Sequence, residues 1–207
     1  DDIFVGTDRA GWFVGRDGND QIDGAGGLDT AQYLGPKSDY EIYVSAFSGR
    51  RIVASVDGES GADSLRDVER LVFTDISMAY DLDGAAGEAA RMVATVFGGS
   101  ALQKPAIVNM AIKAYDQGLS DAVVAERLLA SADYLSMWGD RSDATVLRML
   151  FTNVLGRVPT ELEYQQLLPI FGLAPQSAVV ALVADFPAID ELINLVGLSA
   201  SGIGFGP

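Results

Sequence analysis

A glycine and aspartate pattern that recurs every nine residues constrains this chain more than any other feature. Residues 6–27 hold seven glycines. Aligned at a spacing of nine, Phe4, Phe13, Ile22 and Ala31 form an apolar column, Asp2, Gly11, Asp20 and Asp29 form a column two residues earlier, and Gly6, Gly15 and Gly24 mark turn starts. So short a period predicts stacked turns, each row burying its apolar residue against its neighbours. Glycine permits the turn, the apolar side chain points inward, and aspartate offers a hard oxygen. If nine residues make one turn and one strand, stacking on one side recurs every eighteen, which sets Asp2 over Asp20 and Gly11 over Asp29. The first pair is expected to clamp a cation between its carboxylates and turn carbonyls, and the second, lacking one carboxylate, to hold one less well. Asx-Gly turns between ordinary strands, with Asp and Asn satisfying turn amides, are the alternative for the same residues.

Composition removes most other chemistry. The 207 residues include no Cys and no His, which excludes disulfides, Cys or His zinc sites, thiol nucleophiles and every Ser-His or Cys-His couple. With 29 acidic against 14 basic residues, the net charge of −15 repels phosphate backbones and anionic membrane surfaces, so nucleic acid is not an expected partner. The longest pure apolar run, Ala178 to Ala184, is far short of the roughly 20 residues of a membrane span. The opening Asp1-Asp2-Ile3-Phe4 has no Met, basic region or apolar stretch of a Sec-type signal peptide, and the chain is expected to be cut from something longer. Asp17, Asp20, Asp23 and Asp29 admit a glycosidase-like acid and base pair. Carboxylates massed among glycines suit a cation better, since a cation holds them ionised rather than raising one of them, so the chain is expected not to be an enzyme.

The unit Gly15-Arg16-Asp17-Gly18-Asn19-Asp20-Gln21-Ile22-Asp23, followed by Gly24-Ala25-Gly26-Gly27-Leu28-Asp29-Thr30-Ala31-Gln32, resembles the nonapeptide G-G-x-G-x-D-x-U-x of RTX proteins, whose repeats form a calcium-binding parallel β-roll. The second glycine is replaced, by Arg16 and Ala25. The resemblance implies Ca²⁺ as cofactor and a ligand set drawn from Asp2, Asp8, Gly15, Asp17, Gly18, Asn19, Asp20, Gly24, Gly26, Gly27 and Asp29. Tyr40 to Val44 and Arg51 to Val56 read as a hairpin turning at Ser48-Gly49. The stretch Gly61 to Asp75 resembles a segment that follows RTX rows in exported bacterial proteins. There Leu65, Val68, Leu71 and Phe73 are expected to bury and close the roll. Asp63 and Asp75 read as turn formers ahead of ligands, and Glu69 and Arg70 as a solvated pair.

From Ala85 on, apolar residues fall at three- and four-residue spacings, which predicts helices near 85–97, 105–117, 121–131, 143–155, 161–171, 176–185 and 187–196. Thr160 and Glu163 form a capping box, and Ser120 and Asp143 read as N-caps. Arg91 to Gly98 echoes Arg148 to Gly156, and Gly118 to Ala125 echoes Gly172 to Ala181, at an offset of about 54 to 58 residues. This predicts two related units in pseudo-symmetric packing. Met92, Phe97, Met110, Tyr115, Leu128, Met149, Phe151 and Leu167 are expected in the core rather than around a ligand. This half, with its ending Ile193 to Phe205, resembles the DUF4214-type helical domain of RTX-bearing exported proteins. That resemblance implies a C-terminal type I secretion signal in the last residues; the alternative is an arm that docks on the helical bundle.

The expectation is therefore an α+β chain. Residues 1–83 form a short parallel RTX-like β-roll with capping strands, and residues 84–207 an all-α bundle of two related units ending in a secretion-signal-like tail. Its expected role is a calcium-binding module of a larger secreted bacterial protein, supporting type I export through the secretion machinery and folding in extracellular calcium. The alternative is a surface assembly or adhesion module with a protein or glycan partner at the cell surface.

Overall fold

The structure is a computed structural model and describes residues 1–206. It is α+β, with nine α-helices and two mixed five-stranded sheets, neither closed into a barrel, among the described residues. The chain divides into two units: residues 1–81 joined by the segment from Gly197 on, and residues 82–196. No single helix among the described residues is long and apolar enough to cross a membrane.

The first unit contains β1 (Ile3–Thr7), β2 (Trp12–Phe13), β3 (Gln21–Ala25), β4 (Thr30–Gln32), β5 (Tyr40–Val44), β6 (Arg51–Ser55), β7 (Ala62–Arg66), β8 (Arg70–Val72), β9 (Ser77–Ala79) and β10 (Ile203–Phe205). Three rows stack in parallel. Ile3 pairs with Gln21 and Trp12 with Thr30, the offset of eighteen that a nine-residue period requires. The third row, β7 and β8, continues both parallel ladders, with Gln21 opposite Ser64 and Thr30 opposite Arg70. Between rows two and three the chain leaves to form the hairpin of β5 and β6, and β6 returns antiparallel against β7. The sheet orders are therefore β1-β3-β7-β6-β5 and β10-β9-β8-β4-β2.

Alternation along the strands sends Ile22, Ala31, Leu65 and Leu71 to one interior, where they bury with Tyr33, Val53, Val68, Phe73 and Met78. Tyr33 stacks on Phe73 at 5.3 Å between ring centroids, and Tyr40 packs against both. The expected solvated pair of Glu69 and Arg70 is not found. Arg70 is buried and paired with Asp81, while Glu69 turns to a backbone N–H of the row before it. Consecutive residues in extended chain point to opposite faces, so sequence neighbours of opposite charge seldom meet there.

The tail also departs from expectation. Residues from Gly197 on belong to the first unit, where β10 pairs antiparallel with β9 and buries Ile203 and Phe205. The Arg51 guanidinium secures this closure by donating to the Ser199 carbonyl at 2.9 Å while lying 3.5 Å from the Tyr80 ring centroid.

The second unit holds α1 (Ala85–Phe97), α2 (Pro105–Asp116), α3 (Asp121–Leu129), α4 (Ala132–Trp138), α5 (Asp143–Leu155), α6 (Glu161–Leu167), α7 (Gln176–Ala184) and α8 (Pro187–Leu192); α9 (Leu195–Ser201) runs past its end. α1 is buried on nearly every side, its alanines at 86, 89, 90 and 94 letting other helices approach closely. α1 and α5 are each thirteen residues long and pack together, as do the nine-residue α3 and α7. Asn153 Nδ2 of α5 donates to the Thr95 carbonyl of α1 at 3.0 Å. Thr95 aligns with Thr152 in the sequence repeat, so this bond joins the two repeated helices one residue away from equivalent positions. The Thr160 and Glu163 capping box is present. Asp143 is the first residue inside α5, and Ser142 before it caps by accepting the Thr145 N–H; Ser120 occupies its N-cap position without a side-chain cap bond.

Candidate functional site

The stacked turns bring the aspartate column together through backbone amides rather than through facing carboxylates. The Asp2 N–H donates to Asp20 Oδ1 at 2.6 Å, and the Asp20 N–H donates to Asp63 Oδ1 at 3.0 Å. On the opposite side of the stack the Gly11 N–H donates to Asp29 Oδ1 and the Asp29 N–H to Glu69 Oε2, both at 2.7 Å. A third ladder runs the other way: the Asn19 N–H donates to Asp1 Oδ1 at 2.7 Å and the Ala62 N–H to Asn19 Oδ1 at 3.0 Å. Each row thus lends a side-chain acceptor to the next.

Asp20 and Asp29 are 1% and 0% exposed, and each has its Oδ2 buried without a hydrogen-bond partner. A buried anionic oxygen in that state is unfavourable by several kcal/mol unless something neutralises it. Burial raises the Asp29 and Glu69 carboxyls above their ordinary values and pushes Asp63 up to about 6, against the opposing Asp20 N–H and Tyr33 hydroxyl. Asp20 Oδ2 and Asp63 Oδ2 both lie close to Gly15. A Cβ there would strike Asp20 Oδ2 and lie 3.4 Å from Asp63 Oδ2. Gly24 has the same relation to Asp29, a Cβ on it falling 2.7 Å from Asp29 Oδ2.

The turns are left-handed at matching positions of the two rows. Arg16 and Ala25, which stand where the nonapeptide has its second glycine, both adopt a φ of 68°, and Gly18 and Gly27 follow at 128° and 105°. The left-handed conformation is kept although the residue that favours it has gone. Of the remaining expected ligands, Asp2 is exposed and contributes its N–H. Asp8 and Asp17 are exposed, Asp8 lying against Gly26; Gly18 abuts the Asp1 backbone and Gly27 that of Arg9 and Ala10. Among the described residues no group of three or more acidic side chains converges as a metal ligand set. Any cation at Asp20 and Asp63, or at Asp29 and Glu69, would draw most of its oxygens from turn carbonyls and water.

Asp63 is the residue that sequence reasoning undervalued. Gly58-Glu59-Ser60-Gly61-Ala62-Asp63-Ser64-Leu65-Arg66 is a third row of the same pattern, with Gly58 and Gly61 at φ of 76° and 82°. Asp75, read as a turn former, accepts the Lys37 N–H at 2.8 Å. In the helical unit Met92, Phe97, Tyr115, Leu128, Met149 and Phe151 are buried and Met110 is partly so. Phe151 and Leu167, however, also line an open apolar trough of about 700 Å³ formed by α5, α7 and the residues between α6 and α7.

Comparison with known proteins adds no relative, since no family model and no curated protein matches this chain.

Proposed function

We propose that the three parallel rows form a short calcium-binding roll of RTX type, and that the chain is a non-catalytic module of an exported bacterial protein that completes its folding in extracellular calcium. One observation carries this reading. Asp20 and Asp29, nine residues apart, are fully buried, and each spends one carboxylate oxygen on a neighbouring row's N–H while the other has no partner. The turns beside them, left-handed at Arg16, Gly18, Ala25 and Gly27, add support.

Calcium, when bound, neutralises these carboxylates and links adjacent rows through oxygen ligands. Asp20 and Asp63 supply carboxylate oxygens on one side, Asp29 and Glu69 on the other, and Gly15 and Gly24 keep the adjoining space free of side chain. In low calcium the 17 acidic residues among the first 83 repel one another, and the buried carboxylates oppose folding; this favours an unfolded chain for passage through a type I exporter. The tail serves as the export signal before folding and as the sheet-closing strand after it. The helical unit, which resembles DUF4214 in its sequence repeats, is a second module of the same chain.

The test is far-UV circular dichroism and thermal melting in calcium and in chelator. Calcium at a hundred times its dissociation constant is expected to add about 2.7 kcal/mol and to raise the melting of the β-rich unit. Superimposable melts in the two conditions overturn the proposal. A second reading, a surface assembly module, draws on the exposed Ile3, Val5 and Trp12 along the first row, whose strands are sheet edges. It expects concentration-dependent association in light scattering, and a monomer at all concentrations removes it.

A further inference from the structure

The trough of the helical unit is apolar throughout: α5 and the chain from Leu167 to Phe186 line it with Ala, Val, Leu, Ile and Phe alone. Leu155, Leu182 and Phe186 are 56%, 63% and 48% exposed, so its walls face solvent. Its volume of about 700 Å³ holds roughly 23 waters at about 30 Å³ each, with no side-chain group to bond them. The sequence repeat shows that the trough is particular to the second copy. In the first, the twelve-residue α2 packs along α1 and buries Ile107, Val108, Ala111, Ile112, Ala114 and Tyr115. Its counterpart α6 has seven residues and buries none; it gives way at Leu168-Pro169 to a 3₁₀ turn, since proline lacks the N–H that would continue the helix. The other wall changes too. Ala122 to Ala125 of α3 aligns with Ala178 to Ala181 of α7, which sets Leu182 and Val183 where α3 has the exposed, charged Glu126 and Arg127. A shortened α6 and the loss of those two charges open one continuous apolar surface, the mark of an interaction site.

We propose that the trough receives an amphipathic helix of a partner protein, its aliphatic face toward α5 and α7 and basic residues on its flanks. The walls offer no donor or acceptor, so an extended segment lying there would bury backbone amides without partners, whereas a helix satisfies its own. Charge selects the flanks. From residue 158 to the end the chain has five acidic residues and no Lys or Arg. Glu163 is paired with Arg157 and Asp190 with Arg91, which leaves Glu161, Asp185 and Glu191 in no ion pair among the described residues. Asp185 stands between Val183 and Phe186 of the wall. Arg148, the basic residue of α5, lies over the Trp138 ring. The field around the trough is therefore negative, complementary to a basic helix and opposed to a second copy of this chain, at net −15, or to an acyl carboxylate.

The probe is a synthetic peptide of about sixteen residues that keeps the Ile, Val, Ala, Ile, Ala and Tyr of α2's buried face at their spacing and carries lysine elsewhere. It is titrated into the whole chain with calcium present throughout, so that failure here is separate from failure of calcium-dependent folding. Amides at 147–155 and 178–186 are expected to shift and saturate, with helicity rising in circular dichroism. Leu182→Gln, at an exposed position, should weaken binding roughly tenfold and leave the remaining spectrum in place, and Leu182→Met should preserve binding. The same peptide with glutamate for lysine should bind roughly tenfold more weakly at low salt. The proposal is overturned by unsaturable shifts at these amides, by unchanged affinity in Leu182→Gln or by equal binding of the glutamate peptide. It is also overturned if dodecanoate or phosphatidylcholine vesicles shift these amides where the peptide does not, or if the chain alone associates through a contact that Leu182→Gln abolishes.

Discussion

The first unit buries Asp20, Asp29, Thr30, Asp63, Arg70 and Ser77, whereas the helical unit buries only Thr95, Thr145 and Ser177 among polar residues. Four of the six in the first unit carry formal charge, and none of the three in the second does. The reason is geometric. A helix satisfies its backbone amides internally, so its side chains are free to be alanine, leucine and valine. Stacked turns leave amides that only the next row can reach, and short acidic side chains are the acceptors that reach them. The helical unit therefore depends on packing and the turn unit on electrostatics, which predicts that the latter responds to pH.

Placing the same substitution in both regions tests this contrast most severely. Gly24→Ala sets a Cβ against the Asp67 carbonyl and 2.7 Å from Asp29 Oδ2, where neither backbone can yield, so a loss of about 3 kcal/mol is expected in denaturant unfolding. Gly118→Ala in the helical unit, at a φ of 72° with open space around it, should cost only about 1 kcal/mol. Equal losses would mean that the turn stack relaxes as easily as a helix end.

Acidity gives the next largest effect. With its carboxyl held at about 6 when folded and near 3.8 when unfolded, Asp63 binds its proton more tightly in the folded state. Its contribution is fully present below pH 3.8 and is lost as pH rises through 6, an order-of-magnitude loss of about 2 to 3 kcal/mol. Unfolding followed across that window in chelator should show the decline, Asp63→Asn should flatten it, and calcium should oppose it by favouring the ionised form. A stability profile flat from pH 4 to 6 in chelator would detach the turn unit from its buried acid. The smallest effect is a gain. Ala25→Gly, at a φ of 68°, should stabilise the turn unit by up to about 1 kcal/mol in thermal melts, and a loss there would show that the alanine methyl packs usefully.

Periodicity made the helices legible almost to the residue at Ala85–Phe97 and Asp143–Leu155, where long stretches with apolar residues at helical spacing end in glycine. Ala132–Trp138 escaped because a seven-residue helix completes less than two apolar repeats. The first two rows were legible for the same reason, their period being short and uninterrupted. The third was obscured because 43 residues separate Gln21 from Ser64 where 18 separate Ile3 from Gln21, the extra 25 forming the hairpin excursion. Asp63 therefore read as an isolated turn residue rather than as Asp20 one row on. The orphaned oxygens of Asp20 and Asp29 left no trace in the sequence, since they depend on which amide each carboxylate meets across the stack.

The strand Ile203–Phe205 completes a sheet that begins with Trp12 and Phe13. Synthesis must run through the 115 residues from 82 to 196 before that sheet can close. Joining segments so far apart carries an entropic penalty of about 4 kcal/mol from chain length alone, recovered only when Ile203 and Phe205 settle opposite Ala79 and Ser77. Proteolytic trimming of those few terminal residues would therefore unzip the molecule at a point far from the cut in sequence, leaving Ser77–Ala79 as a raw edge.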